Sequence, residues 1–200
     1  IDTTAPKLEE VTPVPTPTND NTSSYTFSST EAGNITYSVC SGSPDNASAD
    51  NNTITFDALA DGTYSNCKIS VTDNATNISD NLSVRSFTID TIAPTLAEET
   101  AVTTPSDNTT PSYTFSSNEA GTISYGGSCS SSTTSASSGN NSITFNSLSA
   151  AAYSNCKISV TDNASNKSDN LSVSSFTIDT TAPTVSSTSP TNDNSSVSVS

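Results

Sequence analysis

A hexapeptide that returns twice at almost the same interval constrains this chain more than any other feature. Ile1-Asp2-Thr3-Thr4-Ala5-Pro6 reappears as Ile89-Asp90-Thr91-Ile92-Ala93-Pro94 and again as Ile178-Asp179-Thr180-Thr181-Ala182-Pro183, at a period of 88 and then 89 residues. Between these marks the similarity is dense: Asn52–Asp90 and Asn141–Asp179 share 29 of 39 positions, including an unbroken block from Tyr64 to Ala75. A fixed period is the signature of a repeated structural unit, and a unit of just under 90 residues matches a small sandwich domain rather than a solenoid turn. The chain therefore divides into residues 1–88, residues 89–177 and a third unit begun at 178–200, which holds a linker, a first strand and part of a second.

Within each unit the apolar residues alternate with polar ones at period two. Tyr25-Thr-Phe27, Ile35-Thr-Tyr37-Ser-Val39, Ile54-Thr-Phe56, Cys67-Lys-Ile69-Ser-Val71 and Leu82-Ser-Val84 all show the pattern, and the second unit copies it. That is the mark of half-buried strands, and no stretch shows helical spacing. With a first strand near Leu8–Val11 and a short one near Ala47–Asp50, the count reaches about seven strands per unit. The expected fold class is all-β: tandem Ig-like β-sandwich domains placed end to end. Composition then needs reinterpretation. Leu, Ile, Val and Phe make up only 34 of 200 residues and the formal charge is −15, values that alone point to disorder. A two-sheet sandwich needs only every second strand residue to be apolar, and Thr, abundant here, favours strands.

The residues also carry a family resemblance. The Asp-Thr-Thr-Ala-Pro linker, the Glu31-Ala32-Gly33 turn, the Asp61-Gly62-Thr63-Tyr64 corner and the Val71–Asn77 turn are similar to those of bacterial Ig-like (Big-type) tandem repeats of large secreted surface adhesins and biofilm-associated proteins. The resemblance spans the whole chain. It implies a secreted or cell-surface stalk of bead-like domains, with neighbouring repeats as the main partners, a host or matrix surface reached through regions outside this chain, and Ca²⁺ as the ion at the junctions.

Cys40 and Cys67 are separated by 27 residues, as are Cys129 and Cys156. In a seven-strand sandwich Cys40 ends the third strand and Cys67 begins the sixth, and those strands are antiparallel neighbours, so one disulfide per unit is expected. Free buried thiols or a four-cysteine metal site are the other readings, although nothing has the CxxC spacing of zinc sites. A disulfide places the chain in an oxidising compartment.

The acidic residues that recur in register are Asp2 with Asp90, Glu31 with Glu119, Asp73 with Asp162, and Asp80 with Asp169. Sandwich topology puts the N-terminal linker and the two turns that carry these residues at one pole. All four carboxylates of each unit are therefore expected to converge there, supplemented by Asn74 or Asn163, opposite Asp20 and Asp61 at the far pole of the preceding unit. Carboxylates crowded into a small volume repel unless a cation compensates, and hard oxygen ligands in irregular geometry suit Ca²⁺.

Other chemistry is excluded. With no His the Ser-His-Asp arrangement cannot be assembled, and no Trp supplies a sugar platform, so catalysis is not expected. Five Lys and Arg against 20 Asp and Glu offer no path along a phosphate backbone, so nucleic acid is not a partner. No apolar run approaches a membrane span, so no membrane insertion is expected. The leading expectation is a structural stalk or spacer. Two alternatives stand beside it: a self-assembling filament in which copies exchange strands, and a glycan- or protein-binding module using the variable segments Ser41–Asp50 and Ser128–Gly139.

Overall fold

The computed structural model describes residues 1–185, and every regular element among them is a strand. In the first repeat these are β1 (Leu8–Thr12), β2 (Ser24–Ser29), β3 (Gly33–Ser38), β4 (Gly42–Ser43), β5 (Asn46–Ala47), β6 (Asp50–Phe56), β7 (Gly62–Tyr64), β8 (Lys68–Asp73), β9 (Leu82–Ser83) and β10 (Phe87–Ile89). The second holds β11 (Leu96–Thr100), β12 (Ser112–Ser117), β13 (Gly121–Gly126), β14 (Ser135–Ala136), β15 (Gly139–Thr144), β16 (Ala151–Tyr153), β17 (Lys157–Thr161), β18 (Leu171–Ser172) and β19 (Phe176–Ile178). Most of the third unit, 178–200, lies outside the described residues.

Two sheets build each repeat. In the first, β1-β2-β6-β4 faces β5-β3-β8-β9, and β7 pairs with β10. The β7–β10 pair continues the β8–β9 ladder, because the Val84 N–H donates to the Cys67 carbonyl (3.0 Å) between them. Counting β4 with β5, β7 with β8 and β9 with β10 gives seven strand positions, arranged as three strands packed on four. After β1 the chain crosses to the other sheet through Pro13–Pro17, and Thr18 then pairs in parallel with Ile89. The second repeat has the same plan, with sheets β11-β12-β15 and β14-β13-β17-β18, and β16 paired with β19.

The period-two pattern explains why this polar chain has a core. Along β2, Tyr25 and Phe27 point in and are fully buried, while the interleaved Ser and Thr face outward. Inside, rings pack in a line from Tyr25 to Phe56 to Phe87 to Tyr64, with centroids 6.3, 5.8 and 5.4 Å apart, the first pair tilted and the other two stacked. Tyr113, Phe145, Phe176 and Tyr153 reproduce the line at 5.9, 6.2 and 5.2 Å. Each such pair adds about 0.5–1.5 kcal/mol beyond its buried area, a sizeable share in a thin core. The corner tyrosines close the arch: the Tyr64 hydroxyl donates to the Ala60 carbonyl (2.8 Å) and that of Tyr153 to the Ser149 carbonyl (2.9 Å).

Each repeat has its own core, and the two share no residue. Ile89 and Ile178, where the sequence period begins its second and third units, are the last core residues of the units before them. The change of period from 88 to 89 has one local cause. Two residues separate Tyr37 from Cys40, but three, Gly126-Gly127-Ser128, separate Tyr125 from Cys129.

Both cysteine pairs are bonded, Cys40 to Cys67 and Cys129 to Cys156, with Cα atoms 5.3 and 5.2 Å apart. Each bond closes the end of a paired ladder, since Ser38 lies opposite Lys68 and Gly126 opposite Lys157. The bridge thus fastens two strands of one sheet, and all four cysteines are buried within the cores.

Candidate metal centre

Three of the four registered carboxylates of each repeat meet. One carboxylate oxygen from each of Asp2, Glu31 and Asp73 lies within 4.8 Å of the others, and Asp90, Glu119 and Asp162 do the same. The backbone explains the convergence. Gly33 opens β3 directly opposite Asp73, and a Cβ at Gly33 would overlap the Thr72 carbonyl, so only glycine lets the strands approach there. Gly121 has the same relation to the Thr161 carbonyl. The turn before each glycine is held by a serine: Ser29 Oγ donates to the Glu31 carbonyl and Ser117 Oγ to the Glu119 carbonyl, both at 2.6 Å. These contacts set the glutamate beside the aspartate of the neighbouring strand.

The aspartate is the fixed member. Asp73 is 7% exposed and organises its own turn, its Oδ1 accepting the Ala75 and Asn77 N–H groups, both at 2.8 Å. The Asn77 side-chain amide donates to Asp73 Oδ2 (2.8 Å) and also reaches the Asp2 carbonyl (3.4 Å). These bonds, led by the Asn77 amide and opposed by burial, hold the Asp73 carboxyl below its usual pKa. Glu31 moves the other way: burial, then the nearby Asp2 and Asp73 charges, raise its pKa above the ordinary glutamate value. For Glu119 burial leads again, followed by Asp90 and Asp162, with partial relief from the Asn118 amide at 3.2 Å. Each cluster thus holds a hydrogen-bonded aspartate beside a glutamate that resists ionisation, which is a site short of positive charge. The donors are hard carboxylate oxygens, a set that fits Ca²⁺ and offers nothing to a soft metal.

Asp80 and Asp169 do not join, contrary to the expectation from topology. The turn closes within five residues, through Asp73 N–H to the Asn77 carbonyl (3.0 Å), and Ser79 N–H already bonds the Val71 carbonyl (2.9 Å). By residue 80 the chain is running back along the side of the sandwich. Asp80 is exposed beside a cleft shared with Pro6, Lys7 and Leu82, and Asp169 beside the matching cleft with Pro94, Lys167 and Leu171. Asn74 lines the depression at the first cluster, but the amide that bonds the aspartate belongs to Asn77, and to Asn166 in the second repeat. The recurrence of Asp-x-x-x-Asn in both turns was the available signal. At the far pole Asp20 and Asp61 serve as hydrogen-bond acceptors. Asp20 Oδ1 takes the N–H and hydroxyl of Thr22, both at 2.9 Å, and Asp61 Oδ1 takes the N–H and hydroxyl of Thr91, at 3.0 and 2.9 Å.

Seven-strand sandwiches with an edge segment in parallel to the last strand define the class: tandem all-β sandwich domains of the Ig-like kind. No family model matches the chain, and no curated protein matches it. Among solved structures it is similar to the fibronectin(III)-like modules of Clostridium thermocellum CbhA, at 13% identity and a TM-score of 0.44, covering 86% of this chain and 93% of that one.

Proposed function

We propose that the chain is a pair of spacer repeats from the stalk of a large extracellular bacterial adhesin or surface fibre, stiffened by disulfides and by Ca²⁺ at the N-terminal pole of each repeat. The observation that carries this reading is recurrence: the same core, bridge and three-carboxylate cluster are built twice, on linkers identical at five of six positions. A binding or catalytic surface needs to be built only once, whereas a spacer gains from copying. The disulfides suit a location outside the reducing cytosol. Asp2 with Glu31 and Asp73, and Asp90 with Glu119 and Asp162, would hold the ions, which neutralise clusters whose glutamates are otherwise difficult to ionise. Within this reading the partners are neighbouring repeats, and the adhesive contact lies elsewhere in the fibre.

Calorimetric titration of the chain with CaCl₂ tests it. Two sites are expected among the described residues, Asp73→Asn and Asp162→Asn each removing one. A heat signal that neither variant changes, or no binding at millimolar Ca²⁺, the weak end of the range for extracellular calcium modules, overturns the calcium assignment.

A further inference from the structure

We infer that the two repeats are also locked together by hydrogen bonds of the protein itself, gathered on Asp90 and needing no cation. Relative motion is the default between domains joined by a short linker without a large apolar interface. This junction has no shared core, and Ile92 beside it is 57% exposed. What it has is a residue bonded on both sides. The Asp90 N–H donates to the Thr18 carbonyl of the first repeat (2.9 Å), while the Asp90 carbonyl accepts the Asn166 side-chain amide of the second (2.8 Å).

The Asn166 amide is aimed. It is 9% exposed, its Nδ2 also donates to Asp162 Oδ2 (2.9 Å), and its backbone N–H donates to Asp162 Oδ1 (2.8 Å). Between the two anchor points only the φ and ψ of Asp90 remain, and the Ile92 N–H bonded to Asp90 Oδ1 (3.2 Å) restricts the following turn. Asp61 adds a second fastening from the first repeat, through its two bonds from Thr91. The next junction keeps the first half of this arrangement, with Asp179 N–H on the Ser106 carbonyl at 2.8 Å. The position of Asp61 is there taken by Ala150, whose methyl group accepts nothing. Among the described residues, the corner fastening that Asp61 supplies thus has no counterpart at Ala150.

Residual dipolar couplings of the isotopically labelled chain, measured in EGTA, read this directly. In the unmodified chain the strands of both repeats should fit one alignment tensor. In Asn166→Ala combined with Asp61→Ala the two repeats should reorient independently, their tensor magnitudes diverging roughly twofold, as motion between loosely joined domains produces. Asp61→Ala alone changes an exposed side chain outside either core and should give an intermediate divergence, with unchanged core amide shifts showing that both repeats remain folded. Separate tensors in the unmodified chain in EGTA, or one shared tensor in the double variant, overturn the lock. Tensors that merge only when Ca²⁺ is added reject it while supporting the cation reading; a shared tensor in a chain that binds no Ca²⁺ supports it while rejecting that reading.

Discussion

The two repeats agree in the core and at the N-terminal pole and disagree at three turns, and the pattern of disagreement separates what the fold needs from what it tolerates. The ring lines and both disulfides superpose in kind, as do the clusters at Asp73 and Asp162. At two of the three turns the positive φ is kept although the residue changes. At the turn before the first cysteine the first repeat places Val39 at φ 74° where the second has Gly127 at 76°. At the start of the long central strand it places Asp50 at φ 97° where the second has Gly139 at the same angle. A β-branched residue in the left-handed region is strained, so the first repeat spends stability there that the second does not. At the corner the backbone itself differs: Gly62 has φ 150°, and Ala151 in its place has no positive φ.

The largest test of the comparison is to remove each bridge. Both loops span 27 residues, so replacing either cysteine pair with Ala should cost its repeat about 3–4 kcal/mol in the chain-entropy picture, and the two losses should agree within about 1 kcal/mol. Urea unfolding followed through amide cross-peaks of each repeat measures both, and a clearly smaller loss in one would show that its bridge is not equivalent. Next in size, Gly127→Val should destabilise the second repeat by about 2–4 kcal/mol, because its Cβ would overlap the Asn155 carbonyl as well as adopt the disfavoured φ. The mirror change, Val39→Gly, should stabilise the first by about 0.5–1 kcal/mol, strain relief exceeding the added flexibility of the unfolded chain.

The clusters give a sign test. In EGTA, Glu31→Gln and Glu119→Gln should each raise the melting midpoint at neutral pH, since each removes a charge the fold disfavours. A glutamate with a raised pKa takes up protons more readily in the folded state, so its contribution improves as pH falls through that raised value and is lost as pH rises through it. The advantage of the Gln variants should therefore fade on acidification into the glutamate range. Asp73, held below its usual value, contributes in the opposite sense, and that share is lost as pH falls through the lowered value. With Ca²⁺ present the Gln variants should instead melt lower than the unmodified chain. The smallest effect is expected at Arg85, which is 71% exposed and 4.0 Å from Glu10. Its backbone N–H already donates to Glu10 (3.2 Å), and the second repeat satisfies Glu98 with the Ser174 N–H and hydroxyl at 2.9 and 2.6 Å. Burial alone pushes Glu98 up, yet those two bonds carry it below the usual glutamate value. Arg85→Ser should change stability by less than about 0.5 kcal/mol.

Much of this was legible in the sequence because strands, sandwich topology and spacing constrain one another. Alternation identified Tyr25, Phe27 and Phe56 as core, and the neighbouring third and sixth strands paired the cysteines. The same bookkeeping placed Asp2, Glu31 and Asp73 at one pole. It failed at Asp80, because a turn's position in the topology does not reveal how tightly the turn closes, and here two hydrogen bonds end it before residue 80. It also passed over Asn77 and Asn166, whose amides matter through the carbonyl they reach rather than through their own charge. The positive φ at Val39 has no sequence signal, since a β-branched residue is among those the conformation least favours.

Thermal unfolding of the chain at neutral pH, once in millimolar Ca²⁺ and once in EGTA, bears most directly on the central claim. A ligand that binds only the folded state at a hundred times its dissociation constant adds about 2.7 kcal/mol per site, so the midpoint should rise clearly in Ca²⁺, and Asp73→Asn with Asp162→Asn should abolish the rise. An identical midpoint in the two buffers would contradict the claim that these acidic poles are calcium sites.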